Sequence, residues 1–244
     1  MRVETNRKLI ERQRKIAQYL FFFSFGILIV GLLLTNQQAA SLEANDLLLG
    51  GVVPAIVVVV AFISTIFSVR MTNQWIREPR PETVLQEGLK GVGHKAVLYN
   101  YYHGPVRHLF IGPQGVFAIT TRWQDRRFSV TGDQWKTHRS FLSRLFSIFR
   151  FDGVGNPTED AIRNAELAKK LLASIAPDVP VRPLIVFTDP RAVITIEDPT
   201  VPVLRAQDKI QPSIKDYMKN AERLPTLTPE QLAEFEKRTL PSAS

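Results

Sequence analysis

The pattern of apolar and polar positions divides the chain into two regimes. From Ile16 to Leu34 the sequence IAQYLFFFSFGILIVGLLL is almost wholly apolar, close to the roughly 20 residues a helix needs to cross the hydrocarbon core of a bilayer. A second run, Leu47 to Val69, carries no charge at all. Gly50, Gly51 and Pro54 mark a break or kink in its first turn, which a neighbouring helix can compensate in lipid. Core helices of soluble proteins are shorter and amphipathic, so both runs read as membrane spans. A cleavable signal peptide is the rival for the first, with QQAAS as its processing site, but the apolar stretch exceeds the usual signal core.

Beyond Val69 the period changes. Arg77 to Gln86, REPRPETVLQ, is a proline-broken linker running into a short helix. HKAVLYNYY, VRHLFIG and GVFAITT read as strands, with a turn at Gly112-Pro113-Gln114-Gly115, and RRFSVTGDQWK as a hairpin about Thr131-Gly132-Asp133. NPTEDAIRNAELAKKLLASIA predicts a helix capped by Asn156, with Pro157 in its first turn and apolar residues at helical spacing from Ala161 to Ile175. VRPLIVFTDP and VPVLRAQD read as buried strands. A helix follows in IQPSIKDYMKN, then a terminal one in LTPEQLAEFEKRTL, where Thr228 and Gln231 have capping-box spacing. The order predicts two N-terminal transmembrane helices followed by an α+β domain, a mixed α/β sandwich. The expected organisation is a basic tail at 1–15, spans at 16–34 and 47–69 joined by an external loop at 35–46, a linker at 70–81 and a soluble domain at 82–244.

Charge gives this arrangement a direction. Arg2, Arg7, Lys8, Arg12, Arg14 and Lys15 precede the first span, and Arg70, Arg77 and Arg80 follow the second, whereas 35–46 has neither Lys nor Arg. Positive-inside bias therefore predicts a two-pass protein of the cell membrane with both ends and the soluble domain in the cytoplasm. The chain has a net charge of +8, which favours an acidic partner: nucleic acid or anionic lipid. It has no cysteine, which excludes disulfides, thiol nucleophiles and Cys-based metal sites. The histidines, His94, His103, His108 and His138, lack metal-ligand spacing; His108, in an apolar strand, reads as a core histidine. The glycines of GLKGVGHK, Gly88, Gly91 and Gly93, read as a loop and not a phosphate cradle.

The combination of PVRHLFIGPQGVFAITTRW, the hairpin FSVTGDQW, NPTEDAIRNAELAKKLL and VRPLIVF resembles the nuclease-related domain (NERD), a branch of the PD-(D/E)XK nuclease-like fold, over about residues 82 to 190. The resemblance implies a restriction-endonuclease-like domain. Its site would use a helix Glu, an Asp directly before the first-strand His, and Glu-x-Lys at the end of the next strand. Carboxylates there hold a divalent cation and the lysine orients the attacking water. Glu82 corresponds to the helix Glu. At the remaining motif positions this chain has Arg107, Thr120 and Arg122. A guanidinium repels a divalent cation and is always protonated, so the resemblance implies a pseudoenzyme without a cofactor, in which arginines that suit phosphate replace the metal. Structural ion pairs of Arg107 and Arg122 with Glu82 or Asp125 are the other reading.

Two further stretches bear on partners. Arg122, Arg126, Arg127 and Lys136, interleaved with Trp123, Phe128 and Trp135, can track and stack DNA or RNA, or form a solvated basic face near anionic lipid. With Arg107 they make up the expected phosphate-binding set. SFLSRLFSIFRF at 140–151 reads as an amphipathic insertion, with Phe141, Arg144, Phe146, Phe149 and Arg150 at the membrane surface, or docked on protein. The expected function is thus a catalytically inactive, membrane-anchored binding module for phosphate, nucleic acid or a protein partner. The alternatives are an active Mg- or Mn-dependent nuclease recruiting Glu82, Glu87, Asp125 or Asp133, and a structural membrane scaffold.

Overall fold

A computed structural model describes residues 1–40, 52–138 and 154–240. The chain forms two compact units, the first of them running from Lys8 to Glu78. This unit contains α1 (Arg7–Ala40) and α2 (Val53–Trp75), both long and apolar enough to cross a membrane. Pro54, which lacks an amide proton, sits in the first turn of α2.

The two helices are antiparallel. Arg14 Nε donates to the Trp75 carbonyl at 3.2 Å, Ser24 Oγ meets Ser64 Oγ at 2.6 Å, and Gly31 faces Val57, whose Cγ1 would lie 2.9 Å from an added Cβ. Ile10, Ala17, Ser24 and Gly31 recur every seven residues, the seam of a left-handed helix pair. Small residues on it let the backbones approach, as lipid-embedded helices require. Ala17, Ser24, Ala61 and Ser68 are buried, while Phe21, Phe22, Leu32 and Val58 face outward.

The other unit is built on α3 (Pro81–Gly88) and a six-stranded sheet. Its strands are β1 (Arg2–Thr5), β2 (Val97–His103), β3 (Val106–Gly112), β4 (Gly115–Arg122), β7 (Val181–Phe187) and β9 (Val203–Arg205), side by side in that order. β2, β3 and β4 form an antiparallel meander, whereas β1 joins β2, β4 joins β7 and β7 joins β9 in parallel. A smaller sheet places β5 (Arg127–Thr131) between β6 (Gln134–His138) and β8 (Val193–Glu197). The mixed α/β architecture agrees with the expectation. β1 and β8 were not expected as strands, and Gly88, read as part of a loop, ends α3.

Both faces of the large sheet are covered. On one, Leu98, Phe110, Phe117, Ile119, Leu184 and Val186 pack with Leu85 and Leu89 of the α3 region and with Ile214 and Met218 of α5 (Ile214–Asn220). On the other, Val97, Tyr99, Leu109, Ile111 and Ala118 pack with Ala165, Ala168 and Leu172 of α4 (Pro157–Leu172) and Phe235 of α6 (Pro229–Thr239). α4 is capped by the Asn156 side chain, which accepts from the Glu159 amide, and α6 by the Thr228–Gln231 capping box.

Candidate functional site

The motif positions lie at the ends of β3 and β4, and the pleat decides which of them meet. In the antiparallel register His108 opposes Ile119, so Arg107 and Thr120 are also neighbours, and Arg122 lies on the same face two residues further along. α4 covers this face. Its side chains engage the motif positions directly: Arg122 Nη2 donates to Asp160 Oδ2 at 2.5 Å, and Asn164 Nδ2 donates to Thr120 Oγ1 at 2.8 Å. Asp160 is also bound by Arg163 at 2.6 Å. Burial pulls the Arg122 guanidinium down from its ordinary range; the carboxylate of Asp160 opposes this, and Arg107 adds to the lowering. The expected alternatives, Glu82 or Asp125 as the partner of Arg122, are corrected by this geometry. Asp160, in the first turn of α4, is the partner, and Asp125 pairs with Arg191 at 3.0 Å.

Glu82 stands elsewhere. Its carboxylate accepts from the Tyr101 hydroxyl at 3.2 Å, and the Tyr101 ring packs edge-on against His108 with centroids 5.0 Å apart. Tyr101 lies where the β2–β3 register shifts and has φ of 62°, a left-handed conformation rare for a bulky residue. His108 is fully buried and its Nδ1 meets Asn100 Oδ1 at 2.8 Å. Because the Asn100 amide nitrogen donates to Thr5 Oγ1 at 3.1 Å, its oxygen accepts from His108. Burial holds His108 down at about 3, with Arg107 contributing. It is therefore the core histidine the strand context implied.

These residues do not fit a divalent cation. The motif offers one carboxylate, held by a tyrosine, together with a threonine hydroxyl already taken by Asn164 and two guanidiniums. Among the described residues no cluster of three or more His, Asp or Glu side chains is placed to hold a metal ion. The recruited-carboxylate alternative thus finds no assembled ligand set there.

The basic stretch divides between surfaces. Arg127 and Lys136 are exposed on the outer face of the small sheet, while Arg126 is half-buried. Two of the expected base-stacking aromatics, Phe128 and Trp135, fall on the inside. Phe128 is buried, and Trp135 stacks on Phe187 with centroids 6.0 Å apart and donates from Nε1 to Thr158 Oγ1 at 2.8 Å. Strand alternation sends both inward, so neither is available to a base. Phe141, Arg144, Phe146, Phe149 and Arg150 lie outside the described residues.

Asp160 and Asn164 were not singled out from the sequence. Their signal was the spacing of four on the helix predicted to cover the motif strands, which places both on one face.

A meander joined in parallel to β7 and sandwiched between α3 and α4 defines a nuclease-like α/β domain. The family model of the nuclease-related domain matches residues 73–188. No curated protein and no solved structure matches the chain.

Proposed function

We propose that this chain is a membrane-anchored nuclease-related domain without nuclease chemistry, which binds phosphate groups of nucleic acid at the cytoplasmic membrane face. The observation that carries this reading is the occupation of the motif by its own side chains: Arg122 is held by Asp160 and Thr120 by Asn164. What supports phosphate binding is exposed positive charge at Arg107, Arg127 and Lys136. Guanidinium and ammonium groups recognise phosphate without a metal. Arg122, buried and paired, serves the fold; contact with ligand falls to Arg107 and the small-sheet cations. The two long apolar helices support the anchor, and the Lys and Arg flanking them support its cytoplasmic direction.

The test uses the full chain in lipid nanodiscs with fluorescent single- and double-stranded DNA, at two salt concentrations, with and without Mn²⁺. Binding that weakens steeply with salt and leaves the DNA intact is expected. Replacing Arg107, Arg127 and Lys136 by Ala should reduce affinity and flatten the salt dependence, by a slope of roughly 0.9 for each phosphate no longer neutralised. Mn²⁺-dependent cleavage abolished by Glu82→Ala would overturn the non-enzymatic reading, and salt-independent binding would overturn the phosphate reading.

A further inference from the structure

The sheet has an edge that chain order alone would not complete. β2 is the first strand after the helical hairpin, and its outer edge is a row of backbone groups that seeks a partner. The partner comes from before the hairpin: Arg2 pairs with Val97, Val3 with Leu98, Glu4 with Tyr99 and Thr5 with Asn100. β1 lies outside residues 73–188, the part matched by the family.

The seat is specific in its side chains as well as its backbone. Val3 packs against the core that contains Leu98 and Phe110. Arg2 forms a salt bridge with Glu236 of α6, which also accepts from the Tyr99 hydroxyl. Thr5 Oγ1 accepts from Asn100, the residue bound to His108. Asn6 follows: its backbone amide donates to the Asn100 carbonyl at 3.0 Å and its side chain to the Tyr101 carbonyl at 3.3 Å, at the left-handed residue that holds Glu82. Extended-strand addition of this kind takes affinity from main-chain bonds and specificity from alternate side chains.

We infer that Arg2–Asn6 is a clasp, and that the β2 edge is a strand-binding site which the chain fills with its own segment from the far side of the membrane hairpin. The occupant is the same chain because Asn6 alone separates the strand from α1, which pairs antiparallel with α2. The clasp gives the domain two attachments to the hairpin, one before α1 and one after α2, and requires both flanks of the hairpin to share one side of the membrane. A domain cut from the chain after α2 lacks this strand and presents an open β2 edge. The membrane part of this inference rests on the anchor reading above; the strand site does not.

The absence of cysteine makes the test clean. Full chain carrying Val3→Cys and Leu98→Cys, in nanodiscs, is oxidised and run on a non-reducing gel. A crosslink within one chain is expected, and Val3→Cys with Tyr99→Cys, one residue out of register, should not form it. A disulfide-linked dimer, or no crosslink with Leu98, would overturn the self-clasp. Should the double variant fail to fold, hydrogen exchange on the full chain carrying Glu4→Pro decides, because the amides of alternate residues from Arg2 to Asn6 face β2 and proline there removes a ladder bond. The β2 amides facing β1 should exchange at least tenfold faster while β7 amides are unchanged, and unchanged β2 amides would overturn the clasp. Carbonate extraction of membranes from cells expressing the full chain reads insertion separately, so failure of the anchor is distinguishable from failure of the strand site.

Discussion

His103 and His108 are both buried in a nuclease-like sheet, and neither is arranged to work as a base. His103 sits against the rings of Tyr99 and Phe235, and among the described residues neither of its ring nitrogens has a hydrogen-bond partner. Burial pushes it down to about 4, as it pushes His108 down to about 3. Both folded values lie below the ordinary histidine value, so the unfolded chain binds protons that the folded one refuses. Stability is complete above about pH 6.5 and falls as acid is added through the window down to the folded values, by about 1.4 kcal/mol per pH unit for each histidine. His103→Phe, which keeps the aromatic packing, should remove one share of that slope in urea unfolding followed from pH 7 to 4. The Arg122–Asp160 pair makes a different prediction. Asp160→Ala strands a buried guanidinium, at a cost of about 1–3 kcal/mol given that Asp160 is 38% exposed. Arg122→Met removes the charge with it and should cost less, a comparison that denaturant midpoints at pH 7 resolve.

Among the elements, α3 is placed by a missing side chain. A Cβ at Gly88 would lie 2.2 Å from the Ala206 carbonyl oxygen, a backbone atom that cannot swing aside. Gly88→Ala should therefore displace α3 from the sheet, costing about 1–3 kcal/mol by overpacking. It should also slacken the Glu82–Tyr101 contact, which a lowered thermal midpoint and faster exchange at Tyr101 would report. Gly88 was visible in the sequence only as one of several glycines, since a close approach by backbone just past β9, more than a hundred residues away, leaves no local trace. α4 and α6 were legible because their caps and apolar spacing are local. The strand alternation of Arg127 to Lys136 was equally local, and it already implied that Phe128 and Trp135 share the inner face. Counting them as base-stacking groups weighted composition over period. β8 had a legible alternation in Val193–Glu197, whereas β1 is a short polar-looking segment whose strand character exists only once β2 is beside it.

At the scale of the whole molecule, two independent features bear on the topology proposed above. One is the distribution of Lys and Arg, dense before the first apolar run and after the second and absent from 35–46. The other is a sheet that includes residues from before α1 and from after α2, so that both flanks belong to one folded body. The first acts during insertion and the second only after folding. Under that topology, reversing the charge bias should not merely invert the protein but set insertion against folding. With single cysteines in an otherwise cysteine-free chain, Asn36→Cys should react with a membrane-impermeant maleimide in intact cells and Thr195→Cys only after lysis. Placing three lysines in 35–46 while neutralising Arg7, Lys8 and Arg12 weakens or reverses that bias. If the first flank is then carried across, β1 is separated from β2 by the bilayer and the Val3–Leu98 crosslink should vanish along with reactivity at Asn36. A crosslink that persists while Asn36 loses its external reactivity would separate the strand site from the topology proposed for it.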